Sequence, residues 1–224
     1  MQFSDFITEQ KNTHMTHIED KVLYGGVKGT RDAILALRSL RDMLGGEGDG
    51  KVSVKWDGAP AIFCGTDPRD GEFFVAKKGI FAKTPKVYKT NADIDADTSG
   101  DLNAKMKLAL KHLPELGIKG IIQGDFLYSK NDVKTKKIKG KDYVTFHPNT
   151  IVYAVPRESD ASDAIIKSKI GIVWHTTYKG NSFESLRASY GVDVSKFNST
   201  RNVWSQDATL RDLTNLTMNR KDTD

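Results

Sequence analysis

Lys55 heads the stretch Lys55-Trp56-Asp57-Gly58, which has the clearest chemical potential in the chain. Val52, Val54 and Trp56 alternate with polar Ser53 and Lys55, the period of a strand. Asp57-Gly58 predicts a tight turn, and Ala61-Ile62-Phe63-Cys64 predicts a second strand after it. Such a hairpin holds an amine beside a turn whose glycine lets the backbone approach a ligand closely. The amine is nucleophilic only when it has lost its proton, which nearby cations favour. The plain alternative is a hairpin whose lysine faces solvent and whose Asp-Gly merely turns the chain.

Other chemistry-bearing residues fall into groups. Lys77, Lys78, Lys83, Lys86 and Lys89 form one basic cluster, and Lys134, Lys136, Lys137, Lys139 and Lys141 a denser second one. Either could neutralise phosphates; the alternative for the second is a solvated loop. His14 and His17 have metal-ligand spacing but lack further ligands at a recognisable spacing, so they read as surface or packing histidines. Asp125 follows a glycine on an apolar stretch, where a carboxylate needs a partner, and this favours a functional role. His147 and His175 could touch phosphate or substrate, and the favoured reading is a hydrogen-bonded structural role.

The elements that must position these groups follow from periodicity. Helices are expected over 3–12 and over 30–44, the latter capped by Thr30 with Ala33, Ile34, Leu37, Leu40 and Leu44 as its stripe. A strand is expected over 72–77, an irregular polar loop over 80–100, and a helix from Ser99 or Asp101 to Leu113. Residues 120–128 read as a strongly apolar strand, followed by the basic loop. Strands are expected over 143–146, 150–155 and 170–176, with a short helix starting at Ser162 or Asp163. A helix from Ser182 to Gly191 and another over 206–218 complete the reading. The fold class is α+β, mainly antiparallel sheets with packed helices.

Taken in order, these strands resemble the covalent nucleotidyltransferases, the superfamily of ATP-dependent DNA ligases, RNA ligases and mRNA capping enzymes. Lys55-Trp56-Asp57-Gly58 matches the family's lysine motif. Phe74-Val75-Ala76-Lys77-Lys78-Gly79 resembles the next strand and turn, where Lys77 or Lys78 would meet phosphates. Ile121-Ile122-Gln123-Gly124-Asp125-Phe126-Leu127 resembles the Asp-Gly-Glu-Leu motif, with Asp125 in place of glutamate. Thr150-Ile151-Val152-Tyr153 resembles the strand whose aromatic stacks on the purine, which nominates Tyr153. The resemblance spans about residues 50–180. It implies that Lys55 is the catalytic nucleophile, carrying AMP as a phosphoramidate. It also implies ATP and Mg²⁺ as cofactors, with Asp57, Gly58, Asp125 and Tyr153 around the nucleotide and Asp57 or Asp125 on the metal.

The chain departs from the pattern at three places. Ala59-Pro60-Ala61 stands where an arginine is common, Ile170 replaces the carboxylate usually found before Gly171, and the closing Lys-x-Lys is missing. Lys169 or Lys179 would contact the α-phosphate instead. The expected organisation is a nucleotidyltransferase-like domain with N-terminal helices over 1–180 and a short helical extension over 181–224, too short for an appended five-stranded OB-fold. The resemblance is strongest to small RNA-ligase-type enzymes and suits a phage-like compact genome. Its implied function is joining 5′-phosphate and 3′-OH ends of RNA or nicked nucleic acid. Two alternatives stay open: a different acceptor (a protein side chain or an RNA 5′ end), and a non-catalytic nucleic-acid-binding module.

Composition agrees without deciding among these. The 224 residues suffice for one large domain or a domain and an appendage, and a formal charge of +5 permits nucleic-acid binding. No apolar run has the length of a membrane span, and Met1-Gln2-Phe3-Ser4-Asp5 does not open a signal peptide. Cys64 is the single cysteine, which excludes an internal disulfide and fits a reducing cytoplasm. Nucleic acid is the expected partner; neither a membrane nor a protein partner is indicated.

Overall fold

The computed structural model describes residues 17–47, 53–210 and 221. Residues 1–54 with 209–224 form one unit and residues 55–208 another. In the first, α1 (Ile18–Tyr24) and α2 (Gly26–Leu44) are joined at Gly25. α2 begins one turn earlier than Thr30, whose hydroxyl donates to the Gly26 carbonyl inside the helix at 3.0 Å. Ala33 is buried, while Ile34, Leu37, Leu40 and Leu44 are exposed. His17 precedes α1 and is exposed. His14 and the helix expected over 3–12 lie outside the described residues.

The second unit is α+β, as its pattern of strands and helices predicts. Its strands are β1 (Ala61–Thr66), β2 (Phe73–Ala76), β3 (Ile121–Ser129), β4 (Lys134–Ile138), β5 (Lys141–Phe146), β6 (Tyr153–Pro156), β7 (Ile170–Lys179), β8 (Arg187–Tyr190) and β9 (Val203–Asp207). Its helices are α3 (Asn91–Asp97), α4 (Gly100–His112) and α5 (Asp160–Lys167). A six-stranded sheet runs β2-β1-β3-β7-β8, with β9 also on β7, and a smaller sheet runs β4-β5-β6. Every pairing is antiparallel except that of β7 with β9.

The alternation of side chains across a strand gives the large sheet two different faces. Ile62, Cys64, Val75, Ile122, Phe126, Ile172 and Trp174 form a continuous apolar surface under Met106 and Ala109 of α4 and Leu113 just after it. Cys64 is fully buried there, and burial pushes its thiol pKa up, so it is inert packing. The opposite face is interrupted. Phe63, Phe74, Ile121 and Tyr178 form one cluster, and Leu127, Tyr128 and Val173 form another with Val144, Phe146 and Ile165 of the smaller sheet and α5.

Several expected elements differ. The strand expected through Lys55 is absent: Ser53 makes an isolated bridge to Thr209, and residues 54–58 are irregular up to β1. The 80–100 segment contains α3, whose Thr90 accepts from the Asp93 amide while the Asp93 carboxylate accepts from the Thr90 amide. The basic loop is a hairpin of β4 and β5, turned at Lys139 and Gly140 with φ of 47° and 81°. Both values suit the two-residue turn whose twist matches the strands. The helix expected after Ser182 shrinks to a single turn, Phe183–Ser185, and residues 187–190 join the sheet as β8. Residues 203–207 are β9, and 211–220 lie outside the described residues. The segment expected as a helical extension therefore contributes two strands to the large sheet.

Glu115 ties the end of α4 to the approach of β9. It accepts from the Thr200 hydroxyl, His112 Nδ1 at 3.0 Å and Asn202 Nδ2 at 2.9 Å. These bonds, the Thr200 hydroxyl first, lower its pKa to about 2. A carboxylate depressed in the folded state contributes stability above its unfolded pKa, about 4.3, and loses it as pH falls through the folded value. Glu115→Gln should therefore make the loss of stability between about pH 4.5 and 2 shallower than in the wild type. Urea unfolding across that range checks this; parallel curves would remove Glu115 from the acid response.

Candidate active site

The Lys55-to-Pro60 segment is built onto the middle of β3. The Ala59 amide donates to the Phe126 carbonyl at 2.9 Å, and the Phe126 amide donates to the Pro60 carbonyl at 3.0 Å. Gly58 lies so close to β3 that a Cβ there would meet the Asp125 Cβ at 2.5 Å and the Phe126 carbonyl oxygen at 3.0 Å. Glycine is required here by close approach, since its φ is unexceptional. On the α4 side, Lys105 reaches the Ala59 carbonyl at 3.4 Å and pairs with Asp101 at 2.9 Å. Lys55 itself is exposed, with no hydrogen bond or ion pair among the described residues. It stands three residues before Gly58, which is at most about 11 Å of chain. The structure thus brings Gly58 against Asp125 and leaves Lys55 on the exposed approach to that contact.

Asp57 is spoken for. Its Oδ1 accepts from Asn149 Nδ2 at 2.8 Å. Its Oδ2 accepts from the Thr150 amide at 2.7 Å, the Thr150 hydroxyl at 2.5 Å and the Ile151 amide at 3.1 Å. These donors, led by the Thr150 hydroxyl, hold its pKa well below the usual carboxylate range. Asp57 staples the lysine segment to the loop between β5 and β6, and a cation would have to displace those donors from Oδ2. Tyr153 belongs to the same staple: its hydroxyl accepts from the Asp57 amide at 2.7 Å. Its ring stacks on Trp56 at 5.1 Å and on Phe146 at 5.3 Å between centroids. The expected partner of that ring, a purine, would have to displace an aromatic side chain.

The lysines divide by partner. Lys77 pairs with Asp97 at 3.0 Å, Lys86 with the same carboxylate at 2.9 Å, and the Tyr88 hydroxyl donates to it at 2.6 Å. Lys89 pairs with Asp70 and, at 3.0 Å, with buried Asp67. Lys78 and Lys83 are exposed without such partners, so two of the five expected cations in this cluster remain free. Lys169 and Lys179 flank and end the ten-residue β7, roughly 30 Å apart at strand rise, so they cannot serve one phosphate together.

Four residues outside the expected set share the face of Asp125. Gln123 lies two residues along β3, with its Oε1 accepting from the Tyr178 hydroxyl at 2.7 Å. Thr176 pairs with Gln123, and Tyr190 pairs with Thr176 on β8. His175 is the extra residue where β7 slips register: Gly124 faces Trp174, whereas Gln123 faces Thr176. Its Nε2 is 3.8 Å from Asp125 Oδ2. The sequence displays these residue types but not the register that gathers them.

An α+β chain with a glycine-seated lysine segment and a polar patch between apolar clusters is the class that fold and site define. Residues 12–224 match a family of unknown function (DUF6267), and the chain belongs to that family. Neither the curated proteins nor the solved structures gave a match. Among the described residues, no helix is long and apolar enough to cross a membrane.

Gly58→Ala should lower stability by about 1–3 kcal/mol, because the added methyl meets the backbone of β3. The Gly71→Ala control, which meets no neighbouring atom but carries its strain at φ +80°, keeps the site geometry intact. Denaturant unfolding measures the first effect. An unchanged midpoint in Gly58→Ala would mean that the lysine segment is free to move off β3.

Proposed function

We propose that this chain is a nucleotidyltransferase of the ATP-dependent polynucleotide ligase type, with Lys55 as its nucleophile. The observation that carries this reading is the seating of Gly58 on Asp125, which puts the end of the lysine motif against the acidic motif of β3. The Lys55 amine, after losing a proton to solvent, attacks the α-phosphorus of ATP. A nitrogen–phosphorus bond forms, the bond to the bridging oxygen breaks, and pyrophosphate leaves. AMP then passes to a 5′-phosphate, and attack by a 3′-OH releases it and seals the ends.

Such transfer depends on positioning and charge neutralisation more than on elaborate acid–base machinery. Lys78 and Lys83 supply unpaired charge beside β2. Mg²⁺ would offset charge on the triphosphate and on departing pyrophosphate. Asp125 fits as one of its oxygen ligands, because Mg²⁺ uses one or two carboxylates with substrate phosphates and waters. Asp57 does not fit while its oxygens are held by residues 149–151. A cytoplasmic setting is part of this reading, since the thiol of Cys64 is free and buried. The exposed lysines of the β4–β5 hairpin support a nucleic-acid partner, and they also support the second reading, a binding module without catalysis.

Incubation with ATP and a divalent cation, followed by intact-mass measurement and peptide mapping, should find AMP on Lys55. Lys55→Arg keeps the charge but stays protonated, and should form no adduct while still binding ATP. AMP on another lysine, or an undiminished adduct in this variant, would defeat the proposal.

Changing Lys134, Lys136 and Lys141 to Gln should weaken binding to RNA or DNA oligonucleotides. The slope of log affinity against log salt should fall by about one unit per lost phosphate contact. An unaltered slope would make the hairpin a solvated surface only.

A further inference from the structure

We infer that Asp125 and His175 together form a divalent-cation site that favours first-row transition ions over Mg²⁺. The inference goes beyond the nucleotidyltransferase reading and stands on the register of β3 and β7. His175 is placed by three constraints. The extra residue in β7 turns its ring towards Asp125. Gly124 permits this, since a Cβ there would lie 2.4 Å from the Val173 carbonyl oxygen and 2.8 Å from the Trp174 ring. β8 and β9 meet on the same edge, where the Gly191 amide donates to the His175 carbonyl at 2.8 Å and the Ala208 amide to Trp174 at 2.9 Å.

The ring and the carboxylate face one another at ion-pair distance rather than hydrogen-bond distance. Asp125 Oδ2 and His175 Nε2 are 3.8 Å apart, too far for a hydrogen bond. His175 Nδ1 lies 2.7 Å from the Thr176 hydroxyl. When Nδ1 donates to that hydroxyl, the lone pair of Nε2 is left on the Asp125 side. A metal-ligating histidine is held in this way, its other nitrogen donating to an outer partner. Two ligands at right angles around an ion at about 2.1 Å lie roughly 3 Å apart, so the two side chains need to close by less than about 1 Å. Both are about three-quarters buried, with side-chain exposures of 26% and 21%, so a path to solvent remains. In the adjoining row, the buried Tyr190 hydroxyl has no hydrogen-bond partner among the described residues.

Two protein ligands leave most positions to water or to substrate oxygens; among the described residues no three or more His, Cys, Asp or Glu side chains gather around an ion. The imidazole sets the preference. Mg²⁺ favours oxygen, whereas first-row ions accept nitrogen and bind with increasing affinity along the series from Mn²⁺. Mn²⁺ binds most weakly in that series, which makes it a demanding probe.

The full chain is titrated with Mn²⁺ alone and free Mn²⁺ is followed by electron paramagnetic resonance, with thermal melts to confirm folding. One saturable site is expected, displaced by Mg²⁺ only in excess of about tenfold. His175→Gln and Asp125→Asn should each weaken it at least about tenfold, the scale of ligand and outer-partner losses. Asp142→Asn, on the exposed β5 end, should leave it unchanged. His175→Glu should keep the site and bring Mg²⁺ affinity level with that of Mn²⁺, a rescue that a packing role would not give. No saturable Mn²⁺ site, or one indifferent to both His175→Gln and Asp125→Asn, overturns the inference. The readout is binding, so a missing AMP adduct would defeat the nucleotidyltransferase reading and leave this one standing.

Discussion

The close contact between Gly58 and β3 is the constraint on which the site depends. Two main-chain hydrogen bonds, Ala59 to Phe126 and Phe126 to Pro60, fasten an irregular segment to the central strand of the large sheet. They satisfy polar groups that would otherwise be costly to bury. A side chain at position 58 would push the segment away from Asp125. The Asp57 staple then works from the other side, so that the segment is held between β3 and the loop before β6. Lys55 is left out of every one of these bonds. Trp56 and Asp57 beside it are fixed, so the backbone that leads to the free amine is held on one side.

The asymmetry of the sheet explains where a ligand can sit. The α4 face is closed by apolar packing from Ile62 to Trp174, with the Lys105 ammonium over the Phe126 ring. The other face has a gap between the cluster around Phe63 and the one around Tyr128. Gln123, Asp125, His175 and Thr176 occupy that gap. A row of polar side chains across the centre of a sheet weakens packing, and the fold compensates by docking the smaller sheet and α5 on one side only. The bulge at His175 belongs to the same economy of structure: it gives up a regular ladder step and turns a ring towards a carboxylate.

The fold was legible where one strong local signal decided it. β3 and β7 are apolar runs buried on both faces, and α4 begins after Ser99 with a clear stripe. Local signals misled where tertiary pairing decided. Val54 and Trp56 suggested a strand, but Trp56 is drawn in by its stack on Tyr153. Ser182 does start a turn, yet only Phe183–Ser185 follows before Leu186 and the pairing of β8 with β7 take the chain into the sheet. The lysine-rich β4 lacks an apolar face altogether, every residue being exposed, so only its register with β5 reveals it. For the candidate site, motif order pointed to both Gly58 and Asp125, which the structure places in contact. His175 could not be joined to Asp125 without knowing the slip in register, and the Asn149-Thr150 grip on Asp57 has no sequence signature.

The two lysine clusters show why counting charge is a poor guide to what a surface binds. Lys77, Lys86 and Lys89 face Asp97, Asp67 and Asp70 across short loops, and their field is largely cancelled at close range. On the β4–β5 hairpin, Lys137 meets one acid, Asp142, in the register, while Lys134 and Lys136 project from the other side of β4. Lysines on an edge strand also have a purely protective use, since they deter pairing with another chain. Edge protection explains lysines on β4 itself, but not those at the turn and on β5. This hairpin carries Lys134, Lys136, Lys137, Lys139 and Lys141, two of them at its turn or just beyond it. Like charges held that close repel one another until an anion intervenes. A phosphate backbone is a chemically suited anion, with charges spaced to meet several lysines at once.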